Sequence, residues 1–269
     1  AISKSTKAII PVHLAGMPCE MNSISFLAQK YNIKVIEDAA HSIESYYKGK
    51  KIGSISDMTC FSFYVTKNLV TGEGGMVTTN DKILAEKIRI SSLHGISKDA
   101  WKRFSEKGYS HYETLYPGYK YNMTDIQSSL GIHQLSRMKS QLKIRNNFWK
   151  QYDEAFKNIP EIDLPDTIEG VTHSRHLYII ILRLSKLKIS RDEFMFELKK
   201  RNIGSGVHYT AVHNHKFYRD KYSYAPEDFP NANWVSSRNV SLPLSSILGS
   251  DDIDDVINAV VDIISCFKK

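Results

Sequence analysis

The chain has 269 residues, 42% of them hydrophobic and 24% charged, with 8 prolines, a composition that supports a sizeable buried core in one large or two modest domains. Its 3 cysteines, Cys19, Cys60 and Cys266, are widely spaced and form no CxxC pair, which argues against a disulfide framework or zinc cluster and fits a reducing cytoplasm. The net charge of +7 permits anionic partners, yet the basic residues are scattered, so nucleic-acid binding ranks low. No apolar run approaches membrane-spanning length, and "AISKSTKAIIPVH" carries no signal-peptide core.

Residues 9–13 read as a short strand, and 22–31, with Ile24, Leu27 and Ala28 on one side, as an amphipathic helix. "IKVIEDAA" (33–40), "MTCFSFY" (58–64) and "GGMVTTN" (74–80) are apolar runs of the kind found in buried parallel strands. A helix over 81–92 comes next, with Asn80 or Asp81 near its N-cap. The aperiodic, aromatic stretch 96–120 predicts a long functional loop. The longest helical pattern, 122–156, is interrupted by Gly131.

Beyond Pro160 the texture changes. A strand over 176–184 precedes a helix over 190–202, where Ser190 and Glu193 form a capping box. A short strand at 240–244 and a helix over 250–267 complete the chain. The alternation predicts an α/β protein: a mostly parallel-sheet domain over 1–150 and a smaller α/β domain over 151–269.

Chemistry concentrates in "FSFYVTKNLVTGEGG" (61–75), where one lysine, Lys67, comes after a strand-like run and precedes Gly72, Gly74 and Gly75. Lys67 is either an ordinary solvated cation or a nucleophile aimed into a pocket, with glycines letting backbone pass close to a ligand. Asp38 ends "KVIED", the strand end where α/β folds bind ligands, or it caps the next segment of chain. A lysine amine that condenses with an aldehyde and a carboxylate that protonates a pyridine nitrogen together suit pyridoxal phosphate. "HYTAVHNH" (208–215) offers His208, His213 and His215, but no Cys or carboxylate completes a metal set, so no metal is expected.

In order, "IIPVHLAGMP", "VIEDAAHS", "GSISDMTCFSFYVTKNLVTGEGGMVTTND", "LHGIS", "GYKYNMTDIQSSLGIHQL" and "SLPLSS" resemble the DegT/DnrJ/EryC1/StrS family, sugar aminotransferases of the fold-type-I pyridoxal-phosphate class. The resemblance covers nearly the whole chain. It implies that Lys67 holds the cofactor aldehyde and shuttles the proton, and that Asp38 pairs with the pyridinium nitrogen. It further implies that Ser62 binds the cofactor phosphate and that His41 lies beside the ring. Asn122 matches an asparagine that reaches the neighbouring subunit's cofactor, which implies a homodimer, and His208 matches a residue near the substrate. Related dehydratases carry histidine where this chain keeps Lys67. The implied reaction moves an amino group from glutamate to a nucleotide-linked keto-sugar, with C4 amination of a UDP- or dTDP-4-keto-6-deoxyhexose for surface polysaccharide or glycan synthesis. Relatives of this kind begin with about a hundred further residues, a small domain's worth. That difference raises the rival expectation of a truncated form that binds without turnover.

Overall fold

In the computed structural model, which describes residues 1–97 and 113–269, chain contacts divide into two units. The first comprises Ala1–Met138 and Glu169–Ser174, the second Lys139–Ile168 and Arg175–Lys269.

The first unit grows around β2 (Lys34–Asp38), whose side chains alternate between the two sheet faces. Val35 and Glu37 are buried on one face, and Ile36 and Asp38 turn to the other, half-buried. β1 (Ala8–Ile9) and β5 (Met58–Ser62) flank β2 in parallel, and β6 (Gly75–Thr78) adds to β5 in antiparallel, giving the order β1-β2-β5-β6. The antiparallel pairing of β6 corrects its reading as one more strand of the parallel type. No helix forms in residues 63–74 between the two strands, and the Phe63–Gly74 backbone bond closes that segment on itself, so β6 runs back alongside β5 instead of crossing over to pair in parallel.

Helix α1 (Met21–Tyr31) covers one face of this sheet, packing Met21 and Ala28 against Val35. It stops at Asn32, whose left-handed backbone (φ 49°) turns the chain into β2. Helix α2 (Lys82–Ser91) starts at Asp81, whose carboxylate accepts from the backbone N–H groups of Ile83 and Leu84. A second, small antiparallel sheet orders β4 (Lys50–Lys51), β3 (Tyr46–Tyr47) and β8 (Val171–Thr172), so residues 169–174 return to this unit late in the chain.

Helix α3 (Asp125–Phe156) supplies residues to both units. In the second unit it lays Phe148, Trp149, Tyr152 and Phe156 against β9 (Tyr178–Leu182). β9 lies between β10 (Asn239–Leu242) and β7 (Ile162–Asp163), antiparallel to both. Helices α4 (Arg191–Lys200) and α7 (Ser250–Phe267) close the same core through Phe194, Leu198, Ile253 and Val260. The expected Ser190–Glu193 capping box forms at α4. The short helices α5 (Lys216–Tyr222) and α6 (Pro230–Ser236) were not expected, because each spans too few residues to display a helical period. Of the expected long loop at 96–120, residues 98–112 lie outside the described residues.

Candidate active site

Register places the first candidates together. Asp38 ends β2 and lies opposite Cys60 of the parallel β5. Ser62, two residues further along β5 and therefore on the same face, ends that strand. Asp38 Oδ1 accepts from the Ala40 N–H at 3.0 Å, and the Asp38 main chain is held between Pro11 and His13 by bonds of 2.9 and 3.0 Å. A carboxylate so fixed leaves its strand in a defined direction.

The loop after β5 carries Lys67. Its base is closed twice: Phe63 N–H donates to the Gly74 carbonyl, and Thr71 N–H to the Phe63 carbonyl, both at 2.9 Å. Within it Lys67 N–H donates to Tyr64 O at 2.9 Å, and Thr71 Oγ1 donates to Glu73 O at 2.9 Å. The glycines now have a physical reason. A Cβ on Gly74 would strike Thr71 Oγ1, and one on Gly75 would lie 2.8 Å from the Phe61 carbonyl. Gly131, the weak point in the helical pattern of α3, brings that helix up to the loop, since its Cβ would stand 3.3 Å from the Thr71 methyl.

Lys67 is half-buried. Burial pushes its ammonium below the ordinary lysine value, and the Asp38 carboxylate, close enough to be felt, partly offsets this. A lysine held this way has more of its amine unprotonated than a surface lysine, which is what attack on a carbonyl requires.

His41 is buried at 8% exposure and accepts the Ala15 N–H on Nδ1 at 3.2 Å, which leaves the ring proton on Nε2. Asn122 is exposed. Its Oδ1 accepts from Lys120 Nζ at 2.5 Å, and it lines, with Cys60, Gly75 and Tyr121, a groove of about 840 Å³ on the first unit. His208 belongs to the second unit, where its Nδ1 is 2.7 Å from Ser241 Oγ and its N–H donates to Asn239 Oδ1 at 2.9 Å. It borders a cavity of about 670 Å³ with Arg201, Asp252 and Asp255. Among the described residues no cluster of three or more His, Cys, Asp or Glu has metal-binding geometry; His213 instead sets its ring 4.8 Å from that of Phe229.

The sequence reading missed the groups behind the site. Glu37, next to Asp38 but on the opposite face, is fully buried, 2.8 Å from His13 Nε2, and accepts from Thr59 Oγ1 at 2.8 Å. Burial alone would raise its carboxyl, but the bonds from His13 and Thr59 outweigh that and hold it below the ordinary value. The adjacent acids of "IED", placed on a strand, were the available signal, because alternation must send one of them inward.

The chain is similar to known proteins over nearly its whole length. The sequence pattern of the DegT/DnrJ/EryC1/StrS aminotransferase family matches residues 1–261. The chain is 53% identical over 265 residues to MJ1066 of Methanocaldococcus jannaschii, covering 98% of this chain and 69% of that protein. It is 46% identical over 265 residues to SpsC of Bacillus subtilis, a spore coat polysaccharide biosynthesis protein, covering 98% and 68%. A candidate sugar aminotransferase of Streptococcus pneumoniae, Spr1654, in its PLP form, superposes with a TM-score of 0.88 at 32% identity, covering 99% of this chain and 70% of that one.

The residues present fit pyridoxal phosphate by their chemistry. A desolvated amine faces the end of a strand that carries a fixed carboxylate, and the Ser62 hydroxyl stands on the same face. These match the aldehyde, the pyridine nitrogen and the phosphate of that group. The match over 1–261, the shared fold and this set of groups lead to one conclusion: the chain belongs to the DegT/DnrJ/EryC1/StrS family of fold-type-I, pyridoxal-phosphate-dependent aminotransferases.

Proposed function

We propose that the protein transfers an amino group from glutamate to a nucleotide-linked keto-sugar, a UDP- or dTDP-4-keto-6-deoxyhexose, by a two-stage reaction. The observation that carries this reading is the closed Lys67 loop, which holds a desolvated amine within electrostatic reach of Asp38. The polysaccharide role of SpsC supports a sugar substrate, and the net charge of +7 suits one bearing a diphosphate.

When bound, pyridoxal phosphate supplies an electron sink and carries the amino group between the two stages. Lys67 Nζ would hold the aldehyde end of the cofactor and, when its amine is free, would serve as the base that takes the proton from the amine-bearing carbon. In the second stage Lys67 moves the proton in the opposite sense. The Asp38 carboxylate would hold a proton on the ring nitrogen, and Ser62 Oγ would bind the phosphate. His41, its ring fixed by the Ala15 N–H, borders the ring, and His208 contacts the sugar. Asn122, exposed on the first unit, reaches the cofactor of a second copy, so the active form is a homodimer. The cytoplasm is its proposed setting, in keeping with three unpaired cysteines. Residues 1–150 form the cofactor-binding domain and 151–269 the smaller one.

Incubation with glutamate and each keto-sugar nucleotide, with products read by mass spectrometry, tests the substrate. A 4-amino sugar together with 2-oxoglutarate is expected. Amination of a 3-keto sugar alone, or of no keto-sugar, would contradict the proposal.

A further inference from the structure

The residue after Lys67 ties the loop's outer end to the rest of the first unit through its side chain. Asn68 Nδ2 donates to Glu44 Oε2 at 2.7 Å and to the Ser174 carbonyl at 3.0 Å. Both acceptors are themselves fixed. Glu44 is 4% exposed, and its N–H donates to Ser174 Oγ at 3.3 Å. Ser174 is fully buried; its Oγ lies 2.6 Å from Ser45 Oγ, and its N–H donates to the Gly16 carbonyl at 3.0 Å. Ser45 Oγ donates to that same carbonyl at 2.8 Å, so its proton is committed and the Ser174 hydroxyl donates to Ser45. The cluster is directional throughout and has no alternative arrangement of protons at Asn68, whose amide is the donor to both partners.

The base of the loop is closed by the Phe63–Gly74 and Thr71–Phe63 backbone bonds. Beyond the base, Leu69, 3% exposed, packs with Phe63 and Met138, an apolar contact that holds the loop down without fixing its direction. The Asn68 bonds add a directional anchor on the residue next to Lys67. We infer that Asn68 is a positioning residue: it pins the crown of the loop to Glu44 and Ser174 so that Lys67 Nζ stays directed at the Asp38 end of β2. Misplacement of a reacting group by about 1 Å can cost up to about 100-fold in rate, so such an anchor has a kinetic consequence. The half-buried state of Lys67 depends on it as well, because a freed loop lets the amine reach water and recover an ordinary lysine's protonation.

The inference rests on the assignment of Lys67 under the proposed function, and its readout is chosen to separate the two. Competitive acylation with acetic anhydride, read at each lysine by peptide mass spectrometry across pH, reports the protonation of Lys67 in the full chain freed of cofactor. In Asn68→Ala the Lys67 profile is expected to move to higher pH while other lysines keep theirs. With cofactor restored, kcat falls about tenfold, and KM for the sugar nucleotide changes less than about twofold. Asn68→Ser, too short to reach both acceptors and readily accommodated in a loop, is expected to move both readings in the same direction, and it serves if the alanine variant does not fold. An unchanged Lys67 profile in a folded variant would overturn the inference. So would a loss of activity that only tracks the folded fraction, which marks a purely structural role. Retained turnover in Lys67→Ala would instead overturn the proposed function, with the acylation profiles still reporting on Asn68.

Discussion

The two units differ in how far polar groups share their interiors with apolar ones, although the second also encloses Arg145, His176, Asn239 and Ser241. The second is sealed by apolar side chains: Tyr152, Tyr178, Ile180, Leu182, Phe194, Leu198 and Ile253 are all essentially inaccessible to solvent. The first encloses His13, Glu37, Ser42, Glu44, Ser45, Thr59 and Ser174 beside a modest apolar cluster around Met21, Val35 and Ile52. Burying a polar group contributes little net stability even when it is fully hydrogen-bonded, but it fixes direction as apolar contact cannot. The large apolar cluster of the second unit contributes mainly stability, and the buried polar groups of the first fix the geometry around Asp38 and Lys67.

Substitutions can break that contrast. Ile180→Ala removes a fully buried side chain from the centre of β9 and is expected to cost about 3 kcal/mol of unfolding free energy. Activity per folded molecule should not change. A denaturant titration paired with an active-site count checks both.

Thr59→Val keeps the side-chain outline but takes the donor away from Glu37 Oε1. The expected cost is smaller, about 1–2 kcal/mol, because one buried acceptor loses its partner. The loss should also depend on pH. The folded-state carboxyl of Glu37 is depressed, so its contribution is present above the unfolded-state value and is lost as pH falls through the folded-state value. The gap between wild type and Thr59→Val should accordingly be widest near neutrality and narrow in acid. A gap that is constant across pH would detach Thr59 from Glu37.

The sequence made the second unit the easier to read. Its capping box at Ser190 and the period of 250–267 are local signals, and α7 spans the expected residues. In the first unit, "IKVIEDAA" marked β2, and the family pattern marked Lys67, Asp38 and Ser62 as a set. What escaped was set by tertiary contacts. The antiparallel course of β6 depends on the tight closure of the Lys67 loop. The role of Gly131 depends on where Thr71 lies. The partners of Asn68 are 24 and 106 residues away in sequence, and no local pattern encodes a pairing at that range.

The central claim is that Lys67 is the amine that takes up the cofactor. Borohydride reduction in the presence of pyridoxal phosphate, followed by peptide mapping, tests it directly. A single reduced adduct on Lys67, formed at lower pH than adducts on surface lysines, is the predicted result, in keeping with its depressed ammonium. Adducts scattered over surface lysines with none at Lys67 would contradict it.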